Sequence, residues 1–200
     1  MNLSQERKEY AAQEFKGLNH KGEVIRSKEF ESCTFLKCSF RESLFQYCTF
    51  RDCIFRASDL SLVRFEGCAF VNCQFESCEL IGINWTEAAW PKAWLREPVH
   101  FVECALNHSI FIGMSLRGVG MTRCVARNVD FEECDMTKAD CRFTDFTESR
   151  FLHTNLTQAD FTGARNYAIA AHANTLKRTK FSLPEAMALL YSLDIVLTEC

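Results

Sequence analysis

Cut every five residues, positions 31–55 read ESCTF LKCSF RESLF QYCTF RDCIF, so that phenylalanine closes each unit at 35, 40, 45, 50 and 55. A five-residue period suits neither common element. A helix wants apolar residues three and four apart, and an ordinary strand wants strict alternation. The period extends well beyond this stretch. From 30 to 90 the fifth positions are Phe30, Phe35, Phe40, Phe45, Phe50, Phe55, Leu60, Phe65, Phe70, Phe75, Leu80, Trp85 and Trp90, all large and apolar. Two residues before these centres stand small or apolar residues, Cys33, Cys38, Ser43, Cys48, Cys53 and Ser58 among them. Weaker centres precede the run at Tyr10, Phe15 and Ile25, with His20 breaking the pattern. A second block, one residue out of phase, runs from Phe101 through Phe111, Met121, Phe131, Cys141 and Phe151 to Phe161.

Two positions separated by two residues point the same way on an extended chain. After five residues the chain must turn, or those inward positions would alternate sides. A corner in every unit meets this condition, and four short sides then close a square coil whose copies stack. The centres pile into an axial core, and backbone groups are satisfied from coil to coil, leaving unpaired edges only at the ends. Each buried phenylalanine contributes roughly 1.5–3 kcal/mol.

Composition agrees with one folded domain: 200 residues, 48% of them hydrophobic, with 8 Gly and 3 Pro. The formal net charge of −3 marks the chain neither as a nucleic-acid binder nor as a binder of anionic membrane. No apolar run reaches the length of a spanning helix. The opening MNLSQERKEYAAQEF carries charge where a secretory leader needs an apolar core, so a cytoplasmic location is expected. Twelve cysteines are spaced by five rather than in close pairs, which suits no usual metal motif and no disulfide scaffold. They read as buried core thiols.

The grid from 30 to 90 and the units ADCRF (139–143), TNLTQ (154–158) and ADFTG (159–163) resemble the pentapeptide-repeat family, whose pattern is A-[D/N]-L-x-x. The resemblance covers about residues 8–181. It implies an all-β fold, a right-handed quadrilateral β-helix, here with a short C-terminal helix. The expected organisation is a β-helix over 1–181 in two blocks, 8–90 and 99–181, joined by a break at 91–98, followed by a capping and dimerising segment at 182–200.

Three features depart from the repeat. The break lies in NWTEAAWPKAWLREPVHF (84–101), where Trp85 and Trp90 stay on the grid and are expected to be buried. Trp94 and Arg96 are candidate contacts of a loop there, the alternative being a small bulge between stacked halves. At the C-terminus, FSLPEAMALLYSLDIVLTEC offers Ser182 as a helix cap, Pro184 and Glu185 in the first turn, and a strand-like stretch at 195–197. Its apolar residues Phe181, Leu183, Met187, Leu190, Leu193, Ile195 and Leu197 exceed what a lid requires, and suggest a two-fold joint. The third feature is charge. Residues 128–161 hold eight acids against three bases, and Asp130, Asp135, Asp140 and Asp145 directly precede successive centres. With Glu132 and Glu133 they form a candidate acidic girdle, although an Asp before the centre also belongs to the repeat pattern. The first block is nearly balanced, with eight acids and six bases over 28–80.

No nucleotide-binding or catalytic motif occurs and the five histidines are scattered, so no enzyme activity, metal or cofactor is expected. The CTF/CSF run at 33–40, NWTEAAW at 84–90, FSLPEA at 181–186 and SLDI at 192–195 are similar to the topoisomerase-binding subgroup of the family, the Qnr-like quinolone-protection proteins and the albicidin-immunity protein. That resemblance implies a DNA-mimicking, C-terminally joined homodimer that binds DNA gyrase, or topoisomerase IV as well, and shields it from an inhibitor. It implies no direct contact with nucleic acid and none with membrane. The alternative is a repeat scaffold for an unrelated partner, because fold alone does not fix function.

Overall fold

The computed structural model describes Leu3, residues 7–90 and 99–193, and Ile195. Each five-residue unit folds as one short side of a coil. Many sides of the first block are three-residue strands, such as Glu29–Glu31, Thr34–Leu36, Leu44–Gln46 and Thr49–Arg51, with the middle residue buried. The corner is made two residues after the centre, where the backbone enters the left-handed region: Ser32 (φ 54°), Lys37 (52°), Glu42 (60°) and Tyr47 (53°). For a residue with a Cβ this conformation costs about 1–2 kcal/mol. Each corner N–H is used, because these four donate to Arg51, Arg56, Ser61 and Glu66 of the next coil, all at 2.9 Å.

Pairing is parallel and in register from coil to coil, Phe30 with Phe50 and Phe50 with Phe70. Four faces result. The first holds the centres Phe30, Phe50, Phe70, Leu116, Met136, Leu156 and Leu176. The second holds Phe35, Phe55, Phe75, Phe101, Met121, Cys141 and Phe161; the third, Phe40, Leu60, Leu80, Leu106, Ala126 and Phe146; the fourth, Phe45, Phe65, Trp85, Phe111, Phe131 and Phe151. Within one coil the rings meet edge to face: Phe35–Phe40 at 5.8 Å, Phe40–Phe45 at 5.4 Å, Phe45–Phe50 at 5.7 Å and Phe50–Phe35 at 6.3 Å, closing the square. Along the axis they stack, Phe15, Phe35, Phe55 and Phe75 following at 4.9, 4.6 and 4.8 Å. Both arrangements suit the ring quadrupole. His20 does not break this ladder: it is buried, its ring is parallel to Phe40, and its Nδ1 lies 2.8 Å from Glu23 Oε2.

Where it carries a hydroxyl or thiol, the residue two before a centre has a specific task. Ser58 Oγ donates to Phe35 O at 3.1 Å, Ser109 Oγ to Leu80 O at 3.0 Å and Thr154 Oγ1 to Phe131 O at 2.8 Å. Cysteine does the same with a longer bond, Cys53 Sγ to Phe30 O and Cys73 Sγ to Phe50 O, both at 3.4 Å. Thiol and hydroxyl both serve as buried donors there, while Val63, Ile83, Val129 and Ala139 fill the same position in other coils with an apolar group alone. Burial pushes the Cys73 thiol up to about 11, which keeps it a protonated donor.

Two irregularities mark the rod. At the second face Phe75 pairs with Phe101, so six residues beyond the regular spacing lie between the flanking coils. Trp85 is fully buried and stacks between Phe65 and Phe111, while the half-buried Trp90 stacks on Phe70. Near the end Phe151 pairs with Ile169, two residues early, and a 3-10 turn at Ala171–Ala173 precedes the return of Asn155 to register with Thr175. The C-terminal helix is a 3-10 turn, Glu185–Met187, running into Ala188–Tyr191. Ser182 does not cap it. Its Oγ accepts instead from Gly163 N at 2.9 Å, binding the tail to the last coils. Ile195 lies outside any strand, and positions 196 and 197 fall outside the described residues.

Candidate protein-binding faces

The carboxylates of the proposed girdle are first of all corner devices. Asp130, Asp135 and Asp145 each use Oδ1 to accept the N–H two residues on, from Glu132 at 3.0 Å, Thr137 at 3.1 Å and Thr147 at 3.2 Å. Asn155 makes the same bond to Thr157 at 3.1 Å, so the turn needs the oxygen and not the charge. The second oxygen usually meets a base. Arg117 pairs with Asp135 at 2.8 Å, Arg142 with Asp140 at 2.7 Å, Arg127 with Asp145 at 2.8 Å, and Arg150 with Asp130 at 3.0 Å and Glu132 at 2.8 Å.

These contacts hold the acids charged. Burial works against Asp145, but hydrogen bonds from Asn166, Thr147 and Arg127 outweigh it, and the group stays well below the usual carboxylate range. Asp135 is lowered in the same way, with burial opposed by Thr137 and Arg117. For Asp140 the hydrogen bond from Arg142 is the leading cause of a lowered value.

Of the six girdle residues, five are thus ion-paired with neighbouring guanidinium groups, Arg150 being shared by Asp130 and Glu132. Glu133 is exposed and has no ion pair among the described residues; the same holds for Glu148. Glu133 sits at the corner after the fourth face and Glu148 at the corner before it. The face between them carries Ile110 and Ile112, exposed side chains flanking the Phe111 centre. A shallow depression of 410 Å³ occupies the second face, lined by His100, Gly120, Arg123, Asp140, Arg142 and Phe143. His100 lies close over Gly120, where a Cβ would collide with its Nδ1. Its Arg142 is tied to Asp140 and its Arg123 to Glu103. No group of three metal-ligating side chains occurs among the described residues, and no described helix is long and apolar enough to cross a membrane. Trp94 and Arg96 lie outside the described residues.

Two family descriptions match the chain, a pentapeptide repeat region over residues 28–98 and pentapeptide repeats over 100–137 and 127–163. Together they span more than half of it. The chain belongs to the pentapeptide-repeat family. No curated protein sequence matches it significantly. Among solved structures it is similar to a trypsin-treated form of QnrB1, a plasmid-mediated fluoroquinolone resistance protein, with a TM-score of 0.55 and 16% identity over 95% of this chain and 97% of that one. Full-length QnrB1 matches with a TM-score of 0.54 and 16% identity over 94% of this chain and 100% of that one. HetL, a pentapeptide-repeat protein involved in heterocyst differentiation regulation in the cyanobacterium Nostoc, matches with a TM-score of 0.41 and 11% identity over 86% of each chain. At such identities the likeness is one of fold.

The last pentapeptide coil is covered unevenly. Leu176, Phe181, Ala188 and Leu189 pack on the core, and Phe181 meets Phe161 and Tyr167, both at 5.5 Å. Beyond them the tail leaves apolar area open: Leu183 is 77% exposed and Tyr191 75%, with Met187, Leu193 and Ile195 also exposed. Leu190 is half-buried, and Leu197 lies outside the described residues. Tyr191 is not among the apolar residues picked out in the sequence, yet its ring is one of the most exposed on the tail.

Proposed function

We propose that this pentapeptide-repeat protein acts by binding and not by catalysis, and that its partner is DNA gyrase or the related topoisomerase IV, which it protects from a quinolone- or albicidin-type inhibitor. The observation that carries this reading is the pair of unpaired acids, Glu133 and Glu148, bordering a rod face that also exposes Ile110 and Ile112. A stiff rod with such a face suits a basic groove built for duplex DNA, with salt-sensitive association. The fold shared with QnrB1, a fluoroquinolone resistance protein, supports the same assignment. Two copies joined through Leu183, Met187, Tyr191 and Leu193 would lengthen the rod about a two-fold axis, in the cytoplasm where gyrase resides.

The test is supercoiling by purified gyrase with and without the protein, in the presence of a quinolone or albicidin. Protection or direct inhibition at micromolar protein is the expected result. No effect on supercoiling or on drug-induced cleavage overturns the reading. The Arg pairs on Asp130, Asp135, Asp140 and Asp145 favour a second reading, a scaffold for a non-topoisomerase partner, because they consume most of the charge that mimicry of DNA would use.

A further inference from the structure

The charge that remains after ion pairing is distributed unequally around the C-terminal half of the rod. Lys138 and Arg178 occupy the corner between the first and second faces, diagonally across the coil from Glu148. Lys177 lies beside Arg178 on the first face. All three are exposed, and none of their side chains has an ion pair or hydrogen bond among the described residues.

The acids on the two coil sides that meet at this edge are already taken, and the unpaired Glu133 stands at the far corner of the first face. Asp135 is held by Arg117, Asp140 by Arg142 and Asp160 by Lys180 at 3.1 Å. From 161 to 184 the sequence has no acid at all. Between the free bases stand uncharged donors and acceptors: Gln158 lies in the same corner row, and Thr157 in the row of Lys177. With coils about 4.8 Å apart, Lys138 and Arg178 are spaced by roughly 10 Å along the axis. The whole-chain charge of −3, which argues against a nucleic-acid partner, averages over this edge and hides it.

We infer that the edge formed by Lys138, Lys177 and Arg178 is a contact site for the phosphate backbone of duplex DNA. Two unneutralised bases in one axial row, with a third beside them on a rigid support, face a rod that carries one negative charge per ~1.7 Å of axis. Long Lys and Arg side chains adjust to phosphate spacing without base contacts, so binding is independent of sequence. The edge stands on its own observations; beside a DNA-bound topoisomerase it would let one rod touch protein with its acidic side and DNA with its basic side.

Fluorescence anisotropy of a labelled duplex with the full chain at low salt tests the assignment. The expected dissociation constant falls in the non-specific range of about 10⁻⁴–10⁻⁶ M, with log K falling against log salt at a slope of about −2.7 for three phosphate contacts. The Lys138→Gln/Lys177→Gln/Arg178→Gln variant, checked by circular dichroism for its β-helix, should lose at least tenfold in affinity and nearly all salt dependence. It should still affect gyrase as the parent chain does if the acidic face binds the enzyme, so failure of one assignment does not carry the other. Absence of DNA binding, or binding unchanged in the triple variant, overturns the inference. So does equal competition by poly-glutamate of matched charge, which would assign the edge to an acidic protein instead.

Discussion

Phe75 stacks on Phe101 with ring centroids 5.3 Å apart and planes within 15°, a stack only slightly wider than the 4.8 Å between Phe55 and Phe75 in the regular coils. The two are separated by 26 residues in sequence where neighbouring coils use 20. The core therefore closes over the break as if the six extra residues were absent. Stability on the two sides depends on the stack and the coil-to-coil bonds, and the surplus length is free to serve something else.

Deleting residues 91–96 should accordingly leave the fold intact. The register on the second face would revert to the ordinary spacing, and a melting temperature within a few degrees of the parent is expected by circular dichroism. A large loss of stability would show that the break is a structural joint. If the stability holds and gyrase protection is lost, the segment that includes Trp94 is a contact.

The cysteines should be chemically silent in the folded chain. All eleven described thiols are buried, and burial raises Cys53, Cys73 and Cys141 above the ordinary thiol range. The thiolate is the reactive species, so access and ionisation both oppose reaction at these three, and burial denies access to the others. Titration with a thiol reagent at pH 7–8 should find at most Cys200, which lies outside the described residues, until denaturant exposes the rest. Rapid reaction of several thiols in the native state would contradict the packed coil.

How much of this was legible beforehand depends on which atoms carry the information. The side-chain period fixed the centres, because burying Phe35, Phe40, Phe45 and Phe50 on one axis admits few backbone paths. The turn itself was not legible. Its left-handed residues are Ser32, Lys37, Glu42 and Tyr47 instead of glycine, since the fold's packing overrides their local preference. The sequence presents Cys33 and Cys53 as small apolar residues, whereas in the structure they donate to a carbonyl as Ser58 and Thr154 do at equivalent positions. The acidic girdle was visible as composition, but its neutralisation was not. Arg117 is 18 residues from Asp135 in sequence, and only the coil brings them together.

Asp145 makes a pH prediction. Its folded pKa lies below the unfolded value of 3.8, so the stabilisation is complete above that value and is lost as pH falls through it toward the folded pKa. Asp135, Asp140 and Asp160 are shifted in the same direction and add to the effect. Stability should therefore decline below about pH 4. Asp145→Asn keeps the corner acceptor, as Asn155 does, and loses the charged partners Arg127 and Arg165. It should cost about 1–3 kcal/mol at pH 7 and flatten the acid limb of the denaturation profile. An unchanged profile would remove Asp145 from the account.

The exposed tail makes a prediction about assembly. Removing residues 182–200 should convert a dimer into a monomer on a sizing column, and Tyr191→Glu should do the same while leaving the helix in place. A monomeric parent chain, or a dimer that survives both changes, would mean that the tail only covers Phe181 and the last coil.

The unpaired acids separate charge that is available from charge that is merely present. Asp130, Asp135 and Asp140 are corner acceptors whose charges are met by Arg150, Arg117 and Arg142, so reversing them to Lys should first reduce stability. Glu133 and Glu148 lie at exposed corners without such partners among the described residues, and their reversal should leave the melting temperature nearly unchanged. If the fourth face meets a basic groove, Glu133→Lys/Glu148→Lys should weaken gyrase binding about tenfold at low salt, with a smaller difference at high salt because exposed charges are screened. Ile112→Glu on the same face should also weaken it, through lost apolar contact. Full binding by both variants would move the contact surface away from this face, and weakened binding only in the Asp130/Asp135/Asp140 reversal would assign it to the ion-paired girdle.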